Sequence, residues 1–340
     1  MKLLICTQVV DRNDPYLGFF HAWVEEFSKH FEQITVICLK EGAHALPQNV
    51  RIMSLGKEKN TSRPTRLWRL VRYAIACRSD YDAVFVHMNQ EYILAAGWLW
   101  KLFGKRIYMW RNHYAGSLLT DIAALFCTHV FCTSRFSYTA KYRKTELMPT
   151  GVDTALYRDM SAGRTPRSIL FYARMSPSKR PDMLVEALGI LRQKGLAFSA
   201  DIYGTPLPKD EEFLQMLKRR VDELRLADAV KFYLGTAPAE GPAIFSAHEI
   251  FVNLGASGMY DKTLFEAAAC GCLVLAASRD WAQRVGGAPV TDERSLAAAL
   301  EKELSLSETE REEQKAALRR AAQENSLSSL GGRLASAMRA

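Results

Sequence analysis

Apolar residues occur along the chain in short continuous blocks, separated by longer amphipathic stretches. Such blocks, rich in Val, Ile, Leu and Phe, are typical of parallel strands buried on both faces. In the first half they predict strands at 3–10, 34–40, 50–56, 83–88, 106–113 and 129–134. Helical spacing of apolar residues predicts helices between most of these strands, at about 17–31, 64–78, 91–103 and 135–142.

A second series of the same kind begins near residue 168. It predicts strands at 168–174, 198–204, 230–235, 249–255 and 272–278. The helices between them are predicted at 180–194, 209–226, 240–247 and 263–270, before a charged, Ala-rich helical tail from about 292. Two βαβ series in tandem predict an α/β protein with two doubly wound domains and a cleft between them. Ligands of such sheets bind at the carboxyl ends of the strands.

Length and composition agree with this division. A chain of 340 residues suits two domains of ordinary size, and its apolar fraction of 48% is that of a globular protein. The first residues are typical of a strand rather than a signal peptide, and no apolar run reaches the ~18 residues of a membrane span. Seven cysteines, an odd number without a C-x-x-C pair, favour a reducing compartment. We expect a cytoplasmic protein.

The positive charge lies mainly in the first half. Of the net +8, residues 1–160 contribute 21 Lys/Arg against 14 Asp/Glu, whereas residues 161–340 contribute 24 against 23. This asymmetry indicates an anionic partner for the first half. One segment, 63–79, has no acid and interleaves apolar and aromatic residues with Arg63, Arg66, Arg69 and Arg72. It predicts either contact with an anionic membrane surface or a solvated helix packed on its sheet.

Two familiar motifs are absent or misplaced. The first strand is followed by TQVVDRNDPYLGFF rather than G-x-G-x-x-G, so a nicotinamide enzyme is not indicated. Gly18 in this stretch serves either a plain turn or a close approach to a ligand. Asp80-Tyr81-Asp82 resembles a D-x-D metal motif but precedes its strand, which favours a solvated turn. We expect no metal, and with no nucleic-acid-binding motif we expect no nucleic-acid partner.

Cations follow the first strand of the second series. Arg174 comes at its end and Lys179 lies near the start of the next helix, where Ser176 and Ser178 can act as caps. Helix N-termini favour anions because their N–H groups are unpaired. The arrangement suits a diphosphate, although ordinary surface charges on a loop are an alternative reading.

Glu266 has two interpretations. Thr263-x-x-Glu266 has the pattern of a capping box, with Gly271 as the helix stop, so the glutamate could serve the helix alone. Its nearness to the carboxyl end of a predicted strand instead indicates ligand binding, and the cations upstream favour that reading. His113, at the end of the strand 106–113, either contacts a sugar hydroxyl or is a structural histidine.

These segments, in this order, resemble the GT-B retaining glycosyltransferases of family four. FCTSRFSYTAKY…LMPTGVDTALYR (131–158) is similar to the family's "NGVD…F" domain link, and ILFYARMSPSKRPDMLVEAL (169–188) to its "GRLSPEKG…LIEA" segment. DKTLFEAAACGCLVLAAS (261–278) is similar to "LEAMACGxPVVAS". FVHMNQEYILAAG…WRNHYAGS (85–117) resembles an acceptor-domain pattern of some bacterial members. The fold implied is two Rossmann-like domains facing a central cleft.

The resemblance also implies roles for residues. Arg174 and Lys179 would hold the donor diphosphate and stabilise the leaving group. Glu266 would bind the ribose hydroxyls, and His113 would lie beside the donor sugar. The backbone preceding the helix of Glu266 would face sugar and phosphate, through the donor-side residues Gly258, Met259, Tyr260, Asp261, Lys262 and Thr263. Gly18 would lie on the donor side as well.

The sequence departs from the family at the donor side. Where the family has a second Glu, eight residues before the ribose-binding one, this chain has Gly258. The family's "GFGLP" is replaced by MYDKT, which adds the charges of Asp261 and Lys262 beside the expected donor sugar. Glu91, in the NQEY segment, is a candidate carboxylate on the acceptor side.

The expected protein is a metal-independent, retaining hexosyltransferase that uses a UDP- or GDP-linked sugar. Its acceptor would be a glycan or a lipid-linked molecule of cell-surface polysaccharide or glycolipid assembly, at the inner face of the membrane. Residues 1–160 would form the acceptor domain, with a C-terminal helix at about 325–340 packing back on it, and residues 161–324 the nucleotide-sugar domain. The alternatives are a nucleotide-sugar 2-epimerase of the same fold and a non-catalytic sugar-nucleotide-binding relative.

Overall fold

The computed structural model describes residues 1–14, 16–160, 163–258 and 260–340. The chain divides into two compact units: unit 1 comprises Met1–Gly151 and Leu327–Ala340, and unit 2 comprises Val152–Ser326. The sequence patterns place the change of domain at residue 160 and the return at about 325. In the structure the changes fall between 151 and 152 and between 326 and 327.

Unit 1 is built on a parallel sheet of seven strands in the order β3-β2-β1-β4-β5-β6-β7. The strands are β1 (Lys2–Val10), β2 (Gln33–Glu41), β3 (Val50–Ser54), β4 (Ala83–His87), β5 (Arg106–Trp110), β6 (His129–Cys132) and β7 (Thr145–Leu147). In the centre of the sheet, Leu3 of β1 is aligned with Ile34 of β2 and with Ala83 of β4. The central strands are buried on both faces, which explains their continuous apolar runs.

Helices cover both faces of this sheet. They are α1 (Phe19–Ser28), α2 (Arg63–Ala76), α3 (Glu91–Leu102), α4 (Leu118–Phe126) and the C-terminal α12 (Leu327–Arg339). One core contains Trp23 of α1 and Leu334 of α12, whereas the other contains Leu70, Trp100 and Ala123 of α2, α3 and α4. The final helix is also tied to the sheet by a hydrogen bond from Tyr108 Oη to the Met338 carbonyl (3.1 Å).

The helix predicted at 135–142 is wrong. Only a short 3-10 turn, Tyr138–Lys141, forms there. Ser134 Oγ accepts a hydrogen bond from the Phe136 N–H (2.9 Å), so the local side chain competes with helical bonding. The residues 118–126, which form α4, and the three-residue strand β7 were not predicted.

Unit 2 holds a second parallel sheet, of five strands in the order β10-β9-β8-β11-β12. The strands are β8 (Ser168–Tyr172), β9 (Ser199–Tyr203), β10 (Val230–Tyr233), β11 (Ile250–Asn253) and β12 (Leu273–Ala276). The helices are α5 (Pro181–Gln193), α6 (Glu211–Glu223), α7 (Gly241–Ser246), α8 (Lys262–Ala269), α9 (Arg279–Val285), α10 (Glu293–Leu304) and α11 (Glu308–Glu324). The prediction of two doubly wound α/β sheets is confirmed.

All seven cysteines are free thiols with buried side chains. Burial raises the pKa of the Cys77 thiol to about 11 and those of Cys127 and Cys272 to about 12. Within the described residues, no helix is both long and apolar enough to cross a lipid bilayer.

Candidate functional site

Two loops leave the same edge of the second sheet side by side, because β8 and β11 are neighbouring parallel strands. The first loop follows Tyr172 and carries Arg174 and Lys179. The second follows Asn253 and leads to Asp261 at the start of α8. Lys179 Nζ lies 2.5 Å from Asp261 Oδ2, so residues 82 positions apart form an ion pair. This is the edge at which doubly wound sheets bind ligands.

Asn253 holds the second loop in place. Its Nδ2 donates to Asp261 Oδ2 at 3.2 Å and to Thr263 Oγ1 at 3.1 Å, and its Oδ1 accepts from the Gly255 N–H at 3.0 Å. The side chain is only 4% exposed, so these bonds are shielded from water. Sequence reasoning missed this residue. The signal available was a polar side chain that ends an otherwise apolar strand.

The capping-box interpretation of Thr263 and Glu266 is wrong. Helix α8 begins at Lys262 with Asp261 as its N-cap, and no side-chain capping bond is made. Thr263 is the second helical residue, and its hydroxyl is bound by Asn253. Glu266 is the fifth residue of the helix, too far along to reach the N-cap N–H.

Glu266 is therefore not needed for helix capping. It is only 8% exposed, and its carboxylate accepts no hydrogen bond from the residues that the structure describes. Burial raises its pKa, an effect that the charges of Asp261 and Asp153 increase and that Lys262 offsets. Burial also lowers the pKa of Lys262, offset by Glu266 and Asp153. A buried carboxylate with a perturbed pKa and no hydrogen bond is typical of a functional site.

Opposite charges control the ionisation of Asp261. Its burial would raise the pKa, but the charge and hydrogen bond of Lys179, the bond from Asn253 and the charge of Arg174 together lower it. Arg174 is exposed and makes no side-chain hydrogen bond within the described chain. The structure thus brings together the predicted residues Lys179, Asp261, Lys262 and Glu266, with Arg174 near enough to act electrostatically.

The backbone before α8 has an unusual conformation. Gly258 has φ +93° and Tyr260 has φ +42°, whereas Met259 between them lies outside the described residues. The Gly258 N–H donates to Asp280 Oδ2 at 3.1 Å. A glutamate at 258 would be strained at this φ, which gives a physical reason for the glycine. The Tyr260 side chain is 7% exposed, and within the described residues its hydroxyl has no hydrogen-bond partner.

The remaining predicted residues belong to unit 1. A Cβ on Gly18 would lie 2.6 Å from the Asp14 carbonyl oxygen, so the turn before α1 itself requires glycine. His113 Nδ1 accepts from the Ala115 N–H at 2.9 Å, and its ring stacks on Tyr114 at 4.5 Å. Glu91 is exposed as the first residue of α3. Local structure therefore accounts for Gly18 and His113 without a ligand, while their roles in binding stay predictions.

A further polar group at the carboxyl edge of the first sheet was missed by sequence reasoning. Met88, just after β4, has φ +68°, which is uncommon for a residue other than glycine. Arg111, after β5, donates to the Met88 carbonyl at 3.4 Å and to the Ala115 carbonyl at 3.3 Å. Gln90 is 6% exposed, and within the described chain its Oε1 has no partner. Backbone strain and an unsatisfied amide are features found at functional sites.

The D-x-D-like segment has a structural role. Asp82 Oδ2 accepts a hydrogen bond from the Lys2 N–H (2.8 Å) in the turn that precedes β4. The turn interpretation is therefore confirmed. Among the residues with described positions, no three His, Cys, Asp or Glu side chains are grouped so that they could hold a metal ion.

The four arginines of α2 have different environments. Arg63 and Arg72 are exposed, and the Arg72 guanidinium lies 4.9 Å from the centre of the Trp68 ring. Arg66 is half-buried. Arg69 differs from the others because it donates to the Leu55 carbonyl at 3.0 Å and so supports the adjoining loop.

Comparison with known proteins shows what the chain is similar to. Residues 158–320 match the family model of glycosyl transferases group 1, within unit 2. Several solved structures are similar over the whole chain, among them the following two. Anabaena Alr3699/HepE in complex with UDP and glucose has a TM-score of 0.78 and 18% identity, covering 100% of this chain and 99% of that one. Sucrose-phosphate synthase from Thermosynechococcus elongatus has a TM-score of 0.76 and 15% identity, covering 100% and 98%. The chain has the GT-B fold.

Curated relatives match a smaller part of the chain. The D-inositol 3-phosphate glycosyltransferase of Segniliparus rotundus is 27% identical over 166 residues, which is 45% of this chain and 34% of the relative. The enzyme of the same name from Salinispora tropica is 26% identical over 160 residues, 42% and 33%. The match thus spans about a third of the length of these relatives. Residues 158–320 match the family of group 1 glycosyl transferases, in agreement with the resemblance described above.

Proposed function

We propose that the protein is a retaining, metal-independent glycosyltransferase that moves a hexose from a UDP- or GDP-linked donor to a glycan or lipid-linked acceptor. The observation that carries this proposal is the convergence of Lys179, Lys262 and Glu266 at the start of α8, within the region that matches the family. The similar Anabaena protein has been solved in complex with UDP, with UDP and glucose, and with UDP-glucose. A nucleotide-sugar donor for this chain is in keeping with them.

In this proposal the donor is held by charge and by backbone groups. Arg174 and Lys179 bind the diphosphate, and their positive charge stabilises the negative charge that develops on the leaving group. Backbone N–H groups from 258 to 263 contact the phosphate and the sugar. Glu266 accepts hydrogen bonds from the ribose hydroxyls, which would provide the partners that its buried carboxylate lacks among the described residues.

The remaining roles concern the acceptor and the stereochemistry. His113 lies beside the donor sugar, Glu91 contributes on the acceptor side, and Gly18 allows the backbone to approach the ligand. No enzyme nucleophile is assigned, and the leaving phosphate assists deprotonation of the acceptor hydroxyl. The reaction serves the assembly of cell-surface polysaccharide or glycolipid.

The first experiment is a thermal-shift panel of UDP- and GDP-linked sugars on the whole protein. A ligand that binds the folded state raises the apparent melting temperature by mass action. We expect a shift with at least one donor, and we expect Glu266→Ala to weaken that binding by roughly tenfold or more. Glu223→Ala is the control, since it removes an exposed carboxylate of the same unit.

Turnover assays separate the alternatives. Transfer from the binding donor to an acceptor supports the proposal. Clean conversion of the donor to its 2-epimer without any acceptor would establish the epimerase instead. Donor binding that survives Glu266→Ala, together with no transfer in any acceptor panel, would favour the non-catalytic relative.

The proposal also places the enzyme at the inner face of a membrane, where lipid-linked acceptors are found. Neighbouring helices α2, α3 and α4 bury one face against the first sheet. Their outer faces carry exposed apolar side chains: Leu67, Trp68, Ile75, Trp98, Leu102, Leu118, Leu119 and Leu125. Residues 92–145 contain eight Lys/Arg and one acid, Asp121, which is bound by Lys141. A basic surface with exposed Trp and Leu suits the anionic headgroup region of a bilayer.

A further inference from the structure

An anionic side chain of the protein itself lies at the cation to which the proposed function assigns the donor diphosphate. Asp261 is the N-cap of α8, but its side chain makes no capping bond. Its Oδ2 accepts instead from Lys179 Nζ at 2.5 Å and from Asn253 Nδ2 at 3.2 Å. Lys179 is therefore already neutralised by a residue of its own chain.

The residues around this ion pair shield it from water and fix its geometry. The Lys179 side chain is 14% exposed and that of Asp261 is 23% exposed, so water screens their attraction less than at an open surface. A Cβ on Gly255 would lie 2.8 Å from Asp261 Oδ2, so glycine there leaves room for the carboxylate. Asn253, which is buried, fixes the carboxylate from the other side.

Ionisable groups of both signs act on one another at this site. The cations are Arg174, Lys179 and Lys262, and the anions are Asp153, Asp261 and Glu266. The buried carboxylate of Glu266 accepts no hydrogen bond from the described residues, so a ligand would provide its partners. A diphosphate brings about two negative charges. Like the Asp261 carboxylate, it is an acceptor suited to the Lys179 ammonium.

We propose that Asp261 competes with the donor's diphosphate for Lys179 and thereby sets how tightly the nucleoside diphosphate is held. A ligand with two phosphates displaces the carboxylate, whereas a nucleoside monophosphate leaves the Lys179–Asp261 pair in place. After transfer, re-formation of the pair favours release of the nucleoside diphosphate. This inference rests on the proposed function, because it takes Lys179 as a ligand of the donor diphosphate.

Calorimetric titration of the full chain tests the inference. The probes are UDP and UMP, and also GDP and GMP, against wild type and Asp261→Asn. Asparagine keeps the size of the side chain but removes its charge. We expect Asp261→Asn to bind the nucleoside diphosphate on the order of tenfold more tightly and the monophosphate as wild type does. In a Lys179→Met background the gain should vanish, because the two residues act on one interaction.

Three outcomes would overturn the inference. Unchanged or weaker diphosphate binding by Asp261→Asn would mean that Asp261 only positions Lys179. An equal gain for monophosphate and diphosphate would show that the competition does not depend on the second phosphate. A gain that persists in the Lys179→Met background would show that Lys179 is not involved. Asp261→Ser, with its melting temperature measured alongside, repeats the test if the Asn variant folds poorly.

A matched variant controls for net charge. Asp228→Asn removes a carboxylate from an exposed ion pair with Arg192 in the same unit, and should leave nucleotide binding unchanged. If wild type binds neither nucleoside diphosphate, the proposed function and this inference both fail. If it binds one tightly and Asp261→Asn shows no gain, only this inference fails.

Discussion

The buried carboxylate of Glu266 lowers the stability of the folded chain. In the proposed function the same carboxylate binds the donor. In the unfolded chain its carboxyl ionises with an ordinary pKa, whereas burial raises the pKa in the folded state. Between these two values folding takes up a proton, so stability falls as the pH rises. The positive charge of Lys262 would stabilise the ionised carboxylate. Burial, however, lowers the pKa of Lys262 and so disfavours its charged form. Active sites commonly carry such a cost.

Glu266→Gln should remove this loss of stability. The uncharged amide needs no proton to fold, so the variant should gain free energy of unfolding relative to wild type as the pH rises from 5 to 7.5. The expected size is about 1 kcal/mol per pH unit within the range where the folded and unfolded states of wild type differ in protonation. Urea denaturation at several pH values measures it. Glu223→Gln, at an exposed carboxylate of the same unit, is the control, and a flat difference for Glu266→Gln would contradict the prediction.

For single residues, the sequence pattern indicated which side chains belong to the candidate site but not which partners they bind. Lys179 and Glu266 could be singled out because each lies near the end of an apolar strand and the start of a helix. The Lys179–Asp261 pair joins residues that are 82 positions apart, and Asn253 became visible only when the loops were in place. The Thr263–Glu266 pattern was misleading because Asn253 takes the threonine hydroxyl.

The C-terminal helix α12 completes the core of unit 1. Leu330, Leu334 and Met338 are each no more than 1% exposed, in a cluster shared with Trp23 of α1. A Cβ on Gly151, which has φ +70°, would lie 2.4 Å from the Leu330 side chain. The last residues of the chain are therefore part of the first unit, although the whole second unit separates them in sequence.

Leu334→Ala should strongly destabilise unit 1. Removing a fully buried leucine leaves a cavity and costs about 2–5 kcal/mol of unfolding free energy. Leu125→Ala is the control, since that leucine is 78% exposed in the same unit and should change stability little. Because two units can unfold separately, the measurement should follow tryptophan fluorescence and calorimetry together. Equal stability of the two variants would show that α12 does not contribute to this core.

The prediction of helices and strands was right where burial alone determines the order of apolar and polar residues. The central strands are apolar throughout because both of their faces are covered, and each of the strands predicted from such runs is present. Prediction failed between β5 and β7, where tertiary contacts decide. Helix α4 was not predicted. The helix predicted at 135–142 does not form, and in that segment the hydroxyls of Tyr138 and Tyr142 instead donate to Asp121 of α4, at 2.9 Å and 2.5 Å. Such distant partners leave no periodic signal in the sequence.

For the whole molecule, the basic and apolar surface of α2, α3 and α4 predicts binding to anionic vesicles. We expect wild type to sediment with phosphatidylglycerol vesicles and to release only partly at high salt, because apolar insertion is not screened. Substituting Trp68, Trp98 and Leu125 by Ser should reduce the bound fraction several-fold. Reversing Arg63, Arg66 and Arg72 to Glu should weaken binding mainly at low salt, with Arg69 kept because it supports a loop.

The matched control lies on the other unit. Leu156, Met216 and Leu234 are also exposed, so substituting these three by Ser removes exposed apolar side chains from unit 2. This variant should sediment with vesicles as wild type does. If both triple variants lose binding equally, the surface of α2–α4 has no special role.

The buried cysteines have a practical consequence for labelling. Every thiol of the chain is enclosed, and burial holds several of them in the unreactive protonated form. A cysteine introduced at an exposed position such as 102 or 125 would therefore be the one accessible thiol for a maleimide dye. The wild-type background needs no cysteine removal, so a single fluorophore could report, position by position, whether a side chain leaves water when lipid vesicles are added to the protein.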